Sequence, residues 1–132
     1  MALRIVLDTN AYSDWRRQGT WNELICRATQ VMMPTMVLGE LHGGFQLGLT
    51  GRENQAKLAR FLGEDSVRVI SPSEVTAEIY GDFYAFLHKQ GTPLPTNDLW
   101  IGALTYEHKA VLVTRDQHFS RLPQVPLHSG SR

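Results

Sequence analysis

An α/β fold with a mostly parallel sheet is predicted by three observations. Four short runs, Leu3–Leu7, Val31–Met33, Val67–Ile70 and Ala110–Thr114, are largely apolar and too brief for helices. The stretches between them carry helical periodicity. Strands that alternate with helices call for right-handed crossovers, and so for parallel pairing.

Each element follows from local signals. Leu3–Leu7 ends in the turn-prone Asp8-Thr9-Asn10. Ala11–Arg17 reads as a short helix closed by Gly19, and Trp21–Thr29 as another. Val31-Met32-Met33 is a strand stopped by Pro34, with Thr35 as the N-cap of a helix reaching about Leu47. Gly51–Gly63 repeats Leu58, Ala59 and Leu62 at helical spacing. After the strand Val67–Ile70, Ser71 is read as a helix cap, with Pro72 in the first turn and Glu74 three residues on. Val75, Ile79, Phe83, Phe86 and Leu87 form its inward face, and Gly91 and Pro93 end it. Pro95-Thr96-Asn97-Asp98 opens a helix that carries Ile101 and Leu104 inward. Ala110–Thr114 is the fourth strand, Val125–Leu127 a candidate fifth, and His128–Arg132 an expected unstructured tail. No repeat or linker divides the chain, so residues 1–132 are read as one domain.

A hydrophobic content of 42% with 20% charged residues is that of an ordinary globular protein. Thirteen basic and thirteen acidic residues cancel, which argues against holding nucleic acid by bulk attraction. A few local phosphate contacts remain open to such a chain. The lone Cys26 can form neither an internal disulfide nor a thiolate metal site, and is expected to be a small buried hydrophobe. This usage implies a reducing, cytoplasmic setting. The run at Leu3–Leu7 is too short for a signal peptide or a membrane span.

Four acids stand apart. Asp8 and Asp116 follow strands, at the carboxyl ends where open α/β sheets bind ligands. Asp98 lies in a first helical turn, where the macrodipole alone would favour an acid. Glu40 has Met36, Val37, Gly43 and Gly44 as helical neighbours, so packed surroundings are expected. Those two glycines cost about 1 kcal/mol each against Ala, and admit a closely approaching backbone or ligand. Carboxylates at the ends of buried strands need compensation. A hard divalent cation compensates several at once and leaves waters for chemistry. The other nine acids are read as loop, cap or solvated residues.

These pieces, in order, resemble the PIN domain, and most of all the VapC toxins of bacterial and archaeal toxin–antitoxin pairs. The matching residues are Leu7-Asp8-Thr9-Asn10, Glu40-Leu41 with Gly43 and Gly44, Asn97 to Ala103, and Leu112 to Asp116 with His118-Phe119. Gly102 stands where the family usually has Ala. The resemblance implies a three-layer α/β/α domain with four to five strands. It implies a ribonuclease that uses one or two Mg²⁺ or Mn²⁺ ions at Asp8, Glu40, Asp98 and Asp116. Thr114 would be a supporting hydroxyl, and Thr9 and Asn10 would order the first loop. A homodimer and a cognate antitoxin are implied as partners, with DNA contacted only through the antitoxin and no membrane. Arg52 to Phe61, with Met36 and Phe45, is the expected antitoxin groove. Arg115, Arg16 and Arg17 are the candidates for RNA phosphates.

Two other classes compete. A phosphoryl-transfer domain also sets Asp at strand ends near Mg²⁺. Phosphatases of that kind need a second Asp two residues on, where this chain has Asn10, and receivers need adjacent acids and a late Lys that are missing. A non-catalytic interaction module of the same fold would bind metal without cutting RNA.

Overall fold

A computed structural model describes residues 2–128. Five strands, β1 (Arg4–Leu7), β2 (Gln30–Pro34), β3 (Val67–Ile70), β4 (Val111–Val113) and β5 (Leu127–His128), form one sheet in the order β3-β2-β1-β4-β5. Every pairing is parallel. Six helices connect them: α1 (Thr9–Gln18), α2 (Asn22–Arg27), α3 (Thr35–Leu47), α4 (Gly51–Leu62), α5 (Glu74–Gln90) and α6 (Thr96–Glu107). Right-handed crossovers put α1–α4 on one face and α5–α6 on the other. The result is three layers, with β1 at the centre.

The strands are apolar because both faces are covered. Ile5, Val6, Leu7, Met32, Met33, Leu112 and Val113 are all fully buried. From α6, Ile101 and Leu104 point into this core as their spacing predicts. β3 is an edge strand, and its Val69 is exposed. Among the described residues, no helix is long and apolar enough to cross a membrane.

Several boundaries shift for identifiable reasons. Asp8 itself caps α1, its Oδ1 accepting from the Ala11 amide at 2.8 Å, so the helix starts at Thr9. Helix α2 is shorter than predicted because Trp21 takes the cap position with left-handed backbone, φ 71°. Thr35 is the first residue of α3, and Pro34 precedes it in the cap position while still pairing with Ile70. The cap of α5 is Ser73, not Ser71. Its amide donates to Thr76 Oγ1 at 2.9 Å, and the Thr76 hydroxyl in turn meets Glu107 on α6. Thr76 therefore takes the buried place expected for Val75, which is exposed. On α4 the buried pair is Leu58 and Phe61, while Ala59 is exposed and Leu62 half-buried. The turn from α3 into α4 passes so close that a Cβ on Gly51 would lie 2.2 Å from the Phe45 carbonyl oxygen. Cys26 is exposed, because the six-residue α2 turns only Leu24 and Ile25 inward. His128 pairs with Val113 in β5 and is not part of a tail. The rest of the expected tail, 129–132, lies outside the described residues.

Candidate active site

Strand order reverses at β1. The chain leaves β1 toward β2 on one side and returns to β4 on the other. Ligands of open α/β sheets bind in the crevice at such a switch point. Leu7 and Val113 are register partners, and the Asp8 amide reaches the Val113 carbonyl at 3.4 Å. Asp8 and Thr114 therefore emerge side by side from the sheet. Both are buried.

Burial is the main reason the Asp8 carboxyl is pushed above its ordinary value. Thr114 and the Ala11 amide oppose that shift, while Asp116 and Asp14 add to it by repulsion. Asp98, in the first turn of α6, is raised to about 6. Desolvation leads, followed by repulsion from Asp116, Glu40 and Asp8, with His118 opposing. The four singled-out acids thus share one electrostatic field.

Glu40 and Asp116 are also held by their own neighbours. Glu40 accepts from the Thr9 hydroxyl at Oε1 and from Asn97 Nδ2 at Oε2, 3.2 Å away. These bonds tie α3 to the starts of α1 and α6. Asp116 caps a single 3-10 turn, Gln117–Arg121, by accepting from the His118 amide at 2.9 Å. Its own amide donates to Thr114 Oγ1 at 2.9 Å. His118 Nδ1 lies 3.2 Å from Asp116 Oδ1.

The surroundings of Glu40 differ from expectation. Glu40 is exposed, and a Cβ on Gly43 or Gly44 would meet nothing within 4 Å. Gly44 lines a cleft of about 340 Å³, floored by Tyr12, Leu41 and Phe45 and rimmed by Arg17, Glu40 and Lys57. Asn10 is exposed on the first turn of α1.

The three arginines part company. Arg16 stacks over Trp15, 4.2 Å from the ring centroid, and donates to the Tyr12 hydroxyl at 3.1 Å. That engagement fastens α1 to Phe61 of α4. Arg17 and Arg115 instead both meet Asp14, which is buried and was grouped in sequence with the unremarkable acids. Asn97 was likewise not singled out. A local signal for Asp14 existed in its three-residue spacing to Arg17; none pointed to Arg115.

An all-oxygen donor set is the kind that Mg²⁺ and Mn²⁺ take. The mutual repulsion of these carboxylates is what a divalent cation would relieve. The donor chemistry fits such an ion. As the side chains are placed, no three His, Cys, Asp or Glu groups among the described residues stand close enough to ligate one together.

Raised folded values also set a pH dependence. A raised carboxyl contributes stability that is full below its unfolded value and is lost as pH rises through its folded value. For Asp98 that loss runs from about pH 4 through about 6, and Asp8 acts in the same direction. In EDTA, Asp98→Asn is therefore expected to gain more melting temperature over wild type at pH 7.5 than at pH 5. An equal gain at both pH values would show that Asp98 does not carry the shift.

The PIN-domain sequence profile matches residues 5–125. The chain belongs to the PIN-domain family. Ribonuclease VapC1 of Haemophilus influenzae strain R2866 is 33% identical to this PIN domain over 78 residues. The match covers 57% of the chain and 58% of that relative, so it spans little more than half the length of the curated relatives. The PIN domain also superposes on VapBC2 of Rickettsia felis bound to a promoter DNA fragment. That match has a TM-score of 0.81 at 25% identity, covering 96% of this chain and 98% of that one. VapBC-1 of nontypeable Haemophilus influenzae gives a TM-score of 0.83 at 23% identity over the same shares. FitAcB of Neisseria gonorrhoeae gives 0.77 at 24%, covering 95% of this chain and 96% of that chain.

Proposed function

We propose that this PIN domain is a VapC-type toxin, an endoribonuclease that hydrolyses RNA phosphodiester bonds and is restrained by a cognate antitoxin. One observation carries the reading most: Asp116, Glu40 and Asp8 all bear on the Asp98 carboxyl, beside Asp8 at the switch point of the sheet. The similarity to ribonuclease VapC1 supports the activity, and that to VapBC complexes supports the partner. Asp8, Asp98, Asp116 and Glu40 would hold one or two Mg²⁺ or Mn²⁺ ions. When bound, such an ion lowers the pKa of a water and offsets charge on the phosphate.

The protein's own groups have separable tasks in this reading. The Ala11 amide and Thr114 orient Asp8, and both favour its ionised form. Thr9 and Asn97 aim Glu40, and the 3-10 turn fixes Asp116. Asn10 would stand beside the acids from its exposed place in the first turn of α1, there being no loop for it to order. The antitoxin would enter the cleft beside Glu40, whose Phe45, Asn54 and Lys57 fall in the region expected for it. Leu47 and Leu49, exposed at the α3–α4 tip, extend that region with apolar surface. The working form would be a cytoplasmic homodimer that meets DNA only through its antitoxin.

End-labelled structured RNAs, incubated with the protein in Mg²⁺ or Mn²⁺, are expected to yield discrete cuts that EDTA abolishes. Metal binding without cuts on a broad RNA panel would instead favour a non-catalytic module. Cuts that persist in EDTA would remove the metal from the reading.

A further inference from the structure

Beside the four acids, one buried carboxylate holds two exposed guanidinium groups. Asp14 Oδ1 accepts from Arg17 Nη2 at 3.2 Å, and Arg115 Nε lies 3.2 Å from Asp14 Oδ2 as an ion pair. The Asp14 side chain is 12% exposed, those of Arg17 and Arg115 66% and 58%. The carboxylate is thus an internal anchor, and each of its oxygens pairs with one arginine. A guanidinium has five N–H donors. Arg17 commits one to Asp14 and keeps four for an anion, and Arg115 is paired with the same carboxylate by charge. The unit carries one net positive charge.

Its placement ties it to the candidate site on two sides. Arg115 lies between Thr114 and Asp116, and Asp14 is near enough to Asp8 to act on its carboxyl. Arg17 also rims the cleft that Glu40 borders. Arg16, although next in sequence, is committed to Trp15 and Tyr12.

We infer that Arg17, Asp14 and Arg115 form a phosphate clamp for the RNA backbone next to the bond that is cut, with Asp14 as the positioning residue. The inference rests on the ribonuclease reading above. Two guanidiniums drawn to one carboxylate are gathered toward the same phosphate in a way that free surface arginines are not. Most arginines near nucleic acid act as loose charges, whose loss weakens binding and whose acidic neighbours oppose it. The clamp makes the opposite claim about its acid. Bulk electrostatics predicts that neutralising Asp14 tightens RNA binding, because a negative charge is removed. The clamp predicts weaker binding, because the two guanidiniums lose their anchor.

The test measures equilibrium binding of a fluorescein-labelled single-stranded RNA in EDTA, where cleavage is suppressed, across a range of salt. Asp14→Asn keeps the side-chain shape, and circular dichroism checks the fold. It is expected to weaken binding about three- to fivefold, in the range of one exposed ion pair. Arg17→Ala/Arg115→Ala, which alters only exposed side chains, is expected to flatten the slope of log Kd against log salt by about 1.4. Adding Asp14→Asn to that double variant is expected to have no further effect, since Asp14 acts through the two arginines. Equal or tighter binding by Asp14→Asn would overturn the clamp while leaving the ribonuclease reading intact. So would a salt slope unchanged in the double arginine variant. Failure of the wild-type protein both to bind and to cut RNA would sink that reading, and the clamp with it.

Discussion

Asp8→Asn is expected to lower metal-dependent RNA cleavage by more than about 100-fold while the melting temperature holds or rises. Loss of a group that merely supports a metal ligand costs about 10–100-fold. Asp8 is proposed as a ligand, so its removal is expected to exceed that. The stability half follows from its surroundings. Burial and two neighbouring acids make the ionised Asp8 unfavourable in the metal-free fold at neutral pH. Asn removes that charge and caps a helix about as well as Asp, so it can accept from the Ala11 amide in the same way. A rise in stability with a collapse in rate is the signature of a residue kept for chemistry. Cleavage gels and thermal melts in EDTA read the two halves. An active Asp8→Asn protein would move the site elsewhere, and a strong loss of Tm would make Asp8 chiefly structural.

Phe119→Ala carries the largest expected stability effect, about 3–5 kcal/mol. Phe119 sits on the short turn capped by Asp116, yet is only 1% exposed. With the fully buried Leu122 it plugs the segment after β4 into the core. Leu122 in turn rests against α6, where a Cβ on Gly102 would lie 3.2 Å from its Cδ1. The family's usual Ala would therefore press on Leu122. Emptying the Phe119 site leaves a large cavity and releases the loop that presents Asp116, so activity is expected to fall as well. Urea unfolding would show the midpoint moving down at nearly constant m-value. A loss under about 1 kcal/mol would mean that the core refills the space and that Phe119 does not anchor the turn.

Much of this architecture is written in short-range patterns. Leu3–Leu7 and Val111-Leu112-Val113 announce buried strands, because a strand covered on both faces needs no polar alternation. The ends of those runs then place Asp8 and Asp116 without any knowledge of pairing. Asp14 is different. An acid can be buried only where a partner supports it, and one of its two partners, Arg115, comes from the far end of the chain. Glu40 shows the reverse error. Its apolar and glycine neighbours suggested packing, but both glycines face open space and Gly44 borders a cleft. The Ser71 cap failed because a hydroxyl one turn on, Thr76, could satisfy Ser73 while also reaching Glu107. Such three-body arrangements have no signature in local spacing.

The register of β1 against β4 has a further consequence, one of timing. Leu7 is made long before Val113, yet they are partners in the sheet. Closing that separation is entropically slow compared with forming the local helices. A chain emerging from the ribosome holds Asp8 and Glu40 long before Asp116 exists to join them. The central strand waits with one edge open until then, a surface prone to pairing with other strands. Synthesis itself therefore keeps the site incomplete until the segment after β4 has left the machinery that made it.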